Sequence, residues 1–174
     1  MTATTRAHPI ADRGALAVLG LTLLFVAPMQ AWVAQARGTA PLHTGVELRM
    51  LAGAALLALV LPLVQIVLEI RAVGGPAIRG NRVGFPADTG AGGRVGRAHR
   101  NLIESLAPFA AAVLAAHALG VSTATTVAAS VLYLVARLVH AASYAFGVTV
   151  LRSAAFYAGV VATFVILAQL PWLR

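Results

Sequence analysis

Apolar residues along the chain form five long runs separated by short polar links. The runs cover residues 14–35, 46–70, 94–117, 123–146 and 151–170. As an α-helix, each can cross most or all of a hydrocarbon core of roughly 30 Å, at about 1.5 Å per residue. The runs carry no strand signal and no internal repeat. The pattern therefore predicts an all-α, polytopic membrane helical bundle with five spans.

The N-terminal part of the chain has two interpretations. Residues 1–13 are polar and are predicted to be a disordered tail. Residues 14–36 are predicted to be an extra transmembrane helix. Arg6 and Arg13 before the apolar run, and "AQA" at residues 34–36, also resemble a signal peptide with its cleavage site. In both cases residues 46–174 form a separate four-helix domain with the same orientation.

Composition excludes a soluble protein. Sixty per cent of the residues are hydrophobic, 10% are charged, and the mean hydropathy is +0.87. A soluble domain of 174 residues could not cover so much apolar surface. The chain has no cysteine, which excludes disulfides, thiolate metal sites and cysteine nucleophiles. Its five histidines show no metal-binding spacing, so no protein-held metal is expected.

Arginines predict the orientation of the bundle. The 71–100 region carries a single acid, Asp88, and six arginines: Arg71, Arg79, Arg82, Arg94, Arg97 and Arg100. Segments rich in arginine stay on the cytoplasmic side of the membrane. The 71–100 loop is therefore predicted to be cytoplasmic, and the links near residues 37–45 and 120–122 to be outside.

The third span opens with an unusual set of polar residues, in "RVGRAHRNLIESLAPF" at residues 94–109. At 3.6 residues per turn, Arg94, Arg97, Asn101, Glu104 and Pro108 fall within an arc of about 80°. Interface anchoring explains arginines at a helix end. It does not explain Glu104, which lies roughly 15 Å inside the span. An acid at that depth indicates either a functional site or a structural ion pair.

The fourth span supplies a matching polar face. In "LVARLVHAASYAFG", Arg137, His140 and Tyr144 share one side of the helix. Arg137 is at nearly the same depth as Glu104 on the antiparallel neighbour, so the two are predicted to form a buried ion pair. Taken singly, His140 could be a packing residue and Tyr144 an interface aromatic. Together the two spans predict an arginine-rich pocket, where an anionic water-soluble molecule could meet a lipophilic one.

These residues resemble the MAPEG family, the membrane-associated proteins in eicosanoid and glutathione metabolism. The match to its pattern Arg-x-x-Arg-Ala-x-x-Asn-x-x-Glu starts at Arg94, and "ARLVHAASYAFGVTVLRSAAF" resembles the family's second conserved segment. "RGNRVGFP" is similar to the Gly-Asn-Arg loop of bacterial members. The likeness covers four of the five spans, from about Glu47 onward. It implies a homotrimer in a bacterial inner membrane, with cytoplasm-facing sites between subunits.

The resemblance also implies roles for individual residues. Arg97 would hold a glutathione carboxylate, Asn101 the peptide backbone, and Glu104 the amino group. His140 and Tyr144 would line the thiol site from the fourth span. Arg152 would stabilise the thiolate, because a nearby cation lowers the pKa of a thiol. Ser105 and His140 stand where the family's eicosanoid synthases have tyrosine.

Three function classes follow. The first is a membrane transferase or peroxidase that joins glutathione or another small thiol to lipophilic electrophiles, or reduces lipid hydroperoxides. The second is a non-catalytic lipid-binding scaffold with the same fold. The third is a transporter, for which five spans without a repeat give little support. The Arg97, Asn101 and Glu104 set favours the enzyme, since a scaffold need not keep a thiol-peptide site.

Overall fold

Four long helices make up the described part of the chain. The computed structural model describes residues 45–75 and 90–171. Its helices are α1 (Val46–Val73), α2 (Gly90–Ala118), α3 (Ala124–Phe146) and α4 (Thr149–Leu167). All four are long and apolar enough to cross a membrane. The predicted all-α membrane bundle is confirmed, and the protein is an integral membrane protein. The predicted tail and first span lie outside the described residues.

Two helices extend beyond the limits predicted from the sequence. Gly90–Gly93, expected to be loop, form the first turn of α2, and α1 continues three residues past Ile70. Glycine is a poor helix former, so its propensity predicts the opposite. Packing explains the difference, because Gly92 and Gly96 are buried against the Glu69 and Gln65 side chains of α1.

The connection between α2 and α3 is short and well defined by its hydrogen bonds. Gly120 adopts a left-handed conformation with a φ of 67°, and the next amide, that of Val121, donates to the Ala116 carbonyl. Thr123 then begins α3 with a capping box, in which its hydroxyl accepts from the Thr126 amide and the Thr126 hydroxyl accepts from the Thr123 amide. These bonds satisfy helix-end groups that would otherwise lack partners. This tight turn lets α3 run back along α2.

The core lies where α1 and α4 pack against the central pair of helices, α2 and α3. The rings of Phe109 and Tyr133 stack with centroids 3.6 Å apart, among buried alanines and Ile166. α1 packs on α2 and α3, while α4 packs on α3 and α2. This arrangement leaves large aliphatic side chains of α1, such as Leu59 and Leu63, exposed on the outer surface. Such a surface suits lipid or another apolar helix.

Candidate functional site

The predicted polar residues of α3 meet the start of α4 around one cavity. This polar cavity has a volume of about 190 Å³ and is lined by Asn101, His140, Tyr144, Arg152, Ser153, Phe156 and Tyr157. Four of these, Asn101, His140, Tyr144 and Arg152, were site candidates from the sequence. The left-handed Gly147 ends α3 and allows the chain to reverse, which brings Arg152 back beside Tyr144.

Aromatic contacts hold the cationic and histidine side chains of the polar cavity in place. The Arg152 guanidinium carbon lies 4.8 Å from the centroid of the Tyr144 ring. Tyr144 in turn makes an edge contact with the His140 ring, with centroids 5.0 Å apart. A guanidinium over an aromatic face at this distance is held by a cation–π interaction. Arg152 therefore presents a positive charge to the cavity while its guanidinium lies over the Tyr144 ring.

An apolar groove between α2 and α4 adjoins the polar cavity. It has a volume of about 320 Å³ and is lined by Asn101, Glu104, Ser105, Pro108, Phe156, Gly159, Val160, Thr163, Phe164 and Leu167. Asn101 and Phe156 line both spaces, so the two meet at these side chains. A polar cavity joined to an apolar groove can hold a water-soluble group beside a lipophilic one.

Within the part of the chain that the structure describes, Arg137 is the largest fully buried side chain, with 1% of its surface exposed. Its guanidinium donates to Asn101 Oδ1 at 3.2 Å and to the Phe156 carbonyl at 2.9 Å. It also lies 5.2 Å from the centroid of the Tyr133 ring. Its Nε has no hydrogen-bond partner within residues 45–75 and 90–171. A buried cation costs several kcal/mol of desolvation, which these hydrogen bonds and ring contacts offset only in part.

Glu104 does not form the predicted ion pair with Arg137 in the structure. Glu104 is exposed on the described surface and lines the apolar groove, while both hydrogen bonds of the Arg137 guanidinium go to uncharged oxygens. Asn101, three residues before Glu104, takes the place predicted for the carboxylate. Equal depth places two residues at the same height in the bundle, but it does not fix the rotation of each helix about its axis. That rotation decides whether the two side chains meet.

The other motif arginines have different surroundings. Arg94 donates two hydrogen bonds, of 3.2 and 3.1 Å, to the Ala145 carbonyl and so caps the end of α3. Arg97 is half-buried on the same face of α2 and has interaction partners of its own. Arg97 does not line the polar cavity of the single chain. The thiol-site residues predicted from the sequence are therefore brought together only in part.

Sequence reasoning missed Phe156, Ser153 and Gly159. Phe156 separates the polar cavity from the groove, and Gly159 faces the Arg137 guanidinium so closely that a Cβ there would lie 2.7 Å from Nε. Helical spacing from Arg152 could have found Phe156 and Gly159, since offsets of four and seven place both on the face of Arg152.

A model of the MAPEG family matches residues 50–172, which is more than two thirds of the chain. The chain belongs to the MAPEG family. The resemblance seen in the sequence is thereby confirmed, and the matched region covers all but the first residues of the described MAPEG bundle, α1 to α4. Comparisons with curated proteins and with solved structures gave no match.

Proposed function

We propose that this MAPEG protein is a membrane thiol transferase or peroxidase that uses glutathione or a similar small thiol. One observation carries the proposal: the cationic polar cavity and the apolar groove meet at Asn101 and Phe156. An anionic thiol in the first space would have its sulfur beside a lipophilic substrate in the second. Holding two reactants in contact removes much of the entropic cost of a bimolecular reaction.

Arg152 is the proposed activating residue. Arg152 lines the polar cavity and its guanidinium lies over the Tyr144 ring, so it could lower the pKa of a bound thiol by favouring the thiolate. In the transferase reaction the thiolate forms a carbon–sulfur bond with the electrophile. Either a leaving group departs with the bonding electron pair, or an activated double bond opens and its carbanion takes up a proton. In the peroxidase reaction two thiols are oxidised to a disulfide while the hydroperoxide is reduced to alcohol and water.

Binding of the rest of the thiol peptide is assigned to α2 and α3. By family likeness, Arg97 would hold a carboxylate, Asn101 the peptide backbone and Glu104 the amino group. His140 and Tyr144 would line the cavity from α3. The Arg137–Asn101 hydrogen bond supports the role of Asn101, because donation to Oδ1 leaves the amide N–H groups available to a ligand carbonyl.

The site is proposed to be completed by neighbouring copies in a homotrimer. Glu104 lies near the middle of α2, a predicted membrane span, yet it is exposed on the described surface. A carboxylate at that depth is costly against lipid and normally faces protein or a water-filled cavity. A neighbouring subunit packed on this surface would cover Glu104 and bring a second helix to the apolar groove. The arginine-rich end would face the cytoplasm of a bacterial inner membrane.

A non-catalytic lipid-binding scaffold is the alternative function. The apolar groove favours it, because this space alone could hold a lipid chain. Ser105 also supports it, since the eicosanoid synthases of the family have tyrosine there. The Ser105 hydroxyl forms a hydrogen bond of 3.1 Å with the Tyr133 hydroxyl, and Ser105 does not line the polar cavity.

Turnover assays on the purified full-length protein separate the two functions. The protein is assayed with a panel of small thiols, including glutathione, against a lipophilic electrophile and a lipid hydroperoxide. The transferase proposal expects thiol-dependent product formation that is lost in Arg152→Ala. Lipid binding without any thiol-dependent turnover across the panel would support the scaffold instead.

A further inference from the structure

A second cavity lies at the end of the bundle opposite the polar cavity. We call it the turn cavity, because it is formed by the first residues of α1, the last turns of α2 and the turn that follows. Its volume is about 230 Å³. It includes the carboxylate of Glu47, the imidazole of His117 and the hydroxyl of Ser122. None of these residues belongs to the proposed thiol site.

Glu47 is a buried acid whose two carboxylate oxygens differ in their hydrogen bonds. Only 7% of its surface is exposed. The hydroxyls of Ser122 and Thr126 both donate to Oε1, at 2.9 and 2.7 Å. Among the described residues, the hydrogen bonds of this carboxylate therefore come from neutral hydroxyls, and both engage the same oxygen. No hydrogen bond to the second oxygen is present among the described residues, and Glu47 lines the turn cavity.

The carboxylate of Glu47 indicates that a ligand of the turn cavity would be positively charged. Two neutral hydroxyl bonds offset only part of the several kcal/mol that desolvation of a carboxylate costs. A cation that donates to the second oxygen would offset much of the remainder and form a charge-assisted hydrogen bond. The turn cavity therefore suits a cationic donor.

The other walls of the turn cavity indicate the shape of that ligand. Leu48, Val113, Ala116 and Val121 give it aliphatic sides. A hard metal cation needs about six oxygen ligands, which these side chains do not supply. An organic ammonium needs one carboxylate and a few further acceptors, and its carbon chain can pack on the aliphatic wall.

We propose that the turn cavity binds a primary ammonium group attached to an apolar body, with Glu47 as its anion. Two sources share this chemistry: the ammonium headgroup of a membrane lipid, or a free lipophilic amine. The proposal is independent of the thiol chemistry at the opposite end of the bundle. It assigns Glu47 a binding role in addition to its bonds to Ser122 and Thr126.

The test measures binding of n-decylamine to the full-length protein in bilayers of phosphatidylglycerol, with n-decanol as the uncharged probe. We expect saturable binding of the amine and not of the alcohol. Glu47→Gln keeps an acceptor oxygen for the two hydroxyls but removes the charge, and it should weaken amine binding about tenfold or more. Glu69→Gln, the same change at the other end of α1, is the matched control and should leave binding unchanged.

A second variant keeps the proposal testable if Glu47→Gln fails to fold. Val121→Phe narrows the turn cavity without touching the carboxylate, and it should also weaken amine binding. Repeating the titration with phosphatidylethanolamine in the bilayer distinguishes the sources. If phosphatidylethanolamine competes with n-decylamine, the ligand of the turn cavity is a lipid headgroup. If it does not compete, the ligand is a free amine. Failure of the unmodified protein to bind the amine, or equal binding by Glu47→Gln, would overturn the proposal.

Discussion

At the scale of single residues, the buried guanidinium of Arg137 organises the proposed site. It connects three helices, since it sits on α3, donates to Asn101 on α2 and to the Phe156 carbonyl on α4. It fits only because Gly159 has no side chain: a Cβ at that position would lie 2.7 Å from the Arg137 Nε and 2.8 Å from Cζ. Arg137 can therefore occupy this position only when residue 159 is glycine.

Replacing Gly159 with alanine should displace the Arg137 guanidinium from its two acceptors. Overpacking of this kind costs about 1–3 kcal/mol, which exceeds the gain of roughly 1 kcal/mol in helix propensity. Gly53→Ala is the matched control, because its new Cβ would meet only the end of the flexible Leu134 side chain, at 2.9 Å. Unfolding in mixed micelles should show that Gly159→Ala is the less stable of the two. Equal stabilities would mean that Arg137 is not confined there.

At the scale of helices, the sequence predicted the spans well and their mutual rotation poorly. The four described helices follow from long apolar runs, and the Thr123 start of α3 follows from a polar cap before such a run. The glycine-rich start of α2 was missed because its helical form depends on packing against Gln65 and Glu69. The structure also gives Arg137 a hydrogen bond to Asn101 in place of the predicted contact with Glu104, since depth along an axis does not fix which side chain faces inward.

The contact between α2 and α3 can be measured by a double-mutant cycle on Asn101 and Arg137. Removal of Asn101 alone leaves a buried guanidinium with one fewer acceptor, so Asn101→Ala should destabilise the protein. The same change should cost less once Arg137 is replaced by methionine. Residues in direct hydrogen-bond contact show coupling energies of about 0.5–3 kcal/mol.

The same cycle with Glu104 in place of Asn101 provides the comparison. Because Glu104 lies on the exposed side of α2, its substitution should be nearly additive with that of Arg137. Strong coupling of Arg137 to Glu104, and none to Asn101, would contradict the observed hydrogen bond and restore the ion pair predicted from the sequence.

At the scale of the whole molecule, the described surface places an acidic side chain and an apolar groove side by side within the membrane-spanning region. Glu104 is exposed within a predicted membrane span, and the apolar groove that it lines opens beside it. The family motif in the sequence pointed to four residues that line the polar cavity: Asn101, His140, Tyr144 and Arg152. Their roles stay predictions. The sequence could not predict that Arg97 and Glu104 would lie outside the polar cavity of one chain, because a helical pattern does not fix how each helix is rotated about its axis.

Native mass spectrometry of the protein in mild detergent should therefore show three copies. The physical reason is that a neighbouring subunit can shield Glu104 from lipid and cover the groove. Cross-linking in the membrane before extraction controls for dissociation by detergent. A monomer in both measurements would contradict the shared-site arrangement.

The central claim, that the polar cavity binds and ionises a small thiol, is tested most directly by the ultraviolet absorbance of bound thiolate. The unmodified protein with glutathione should show this absorbance at neutral pH, although a free thiol with a pKa of about 8.5 is only a few per cent ionised there. Arg152→Ala should abolish the signal while thiol affinity falls much less. Arg97→Ala should weaken binding but leave the bound thiol ionised, and Arg100→Ala, a matched change one helical turn away, should alter neither. An undiminished thiolate signal in Arg152→Ala, or no signal from the unmodified protein with any thiol, would contradict the claim.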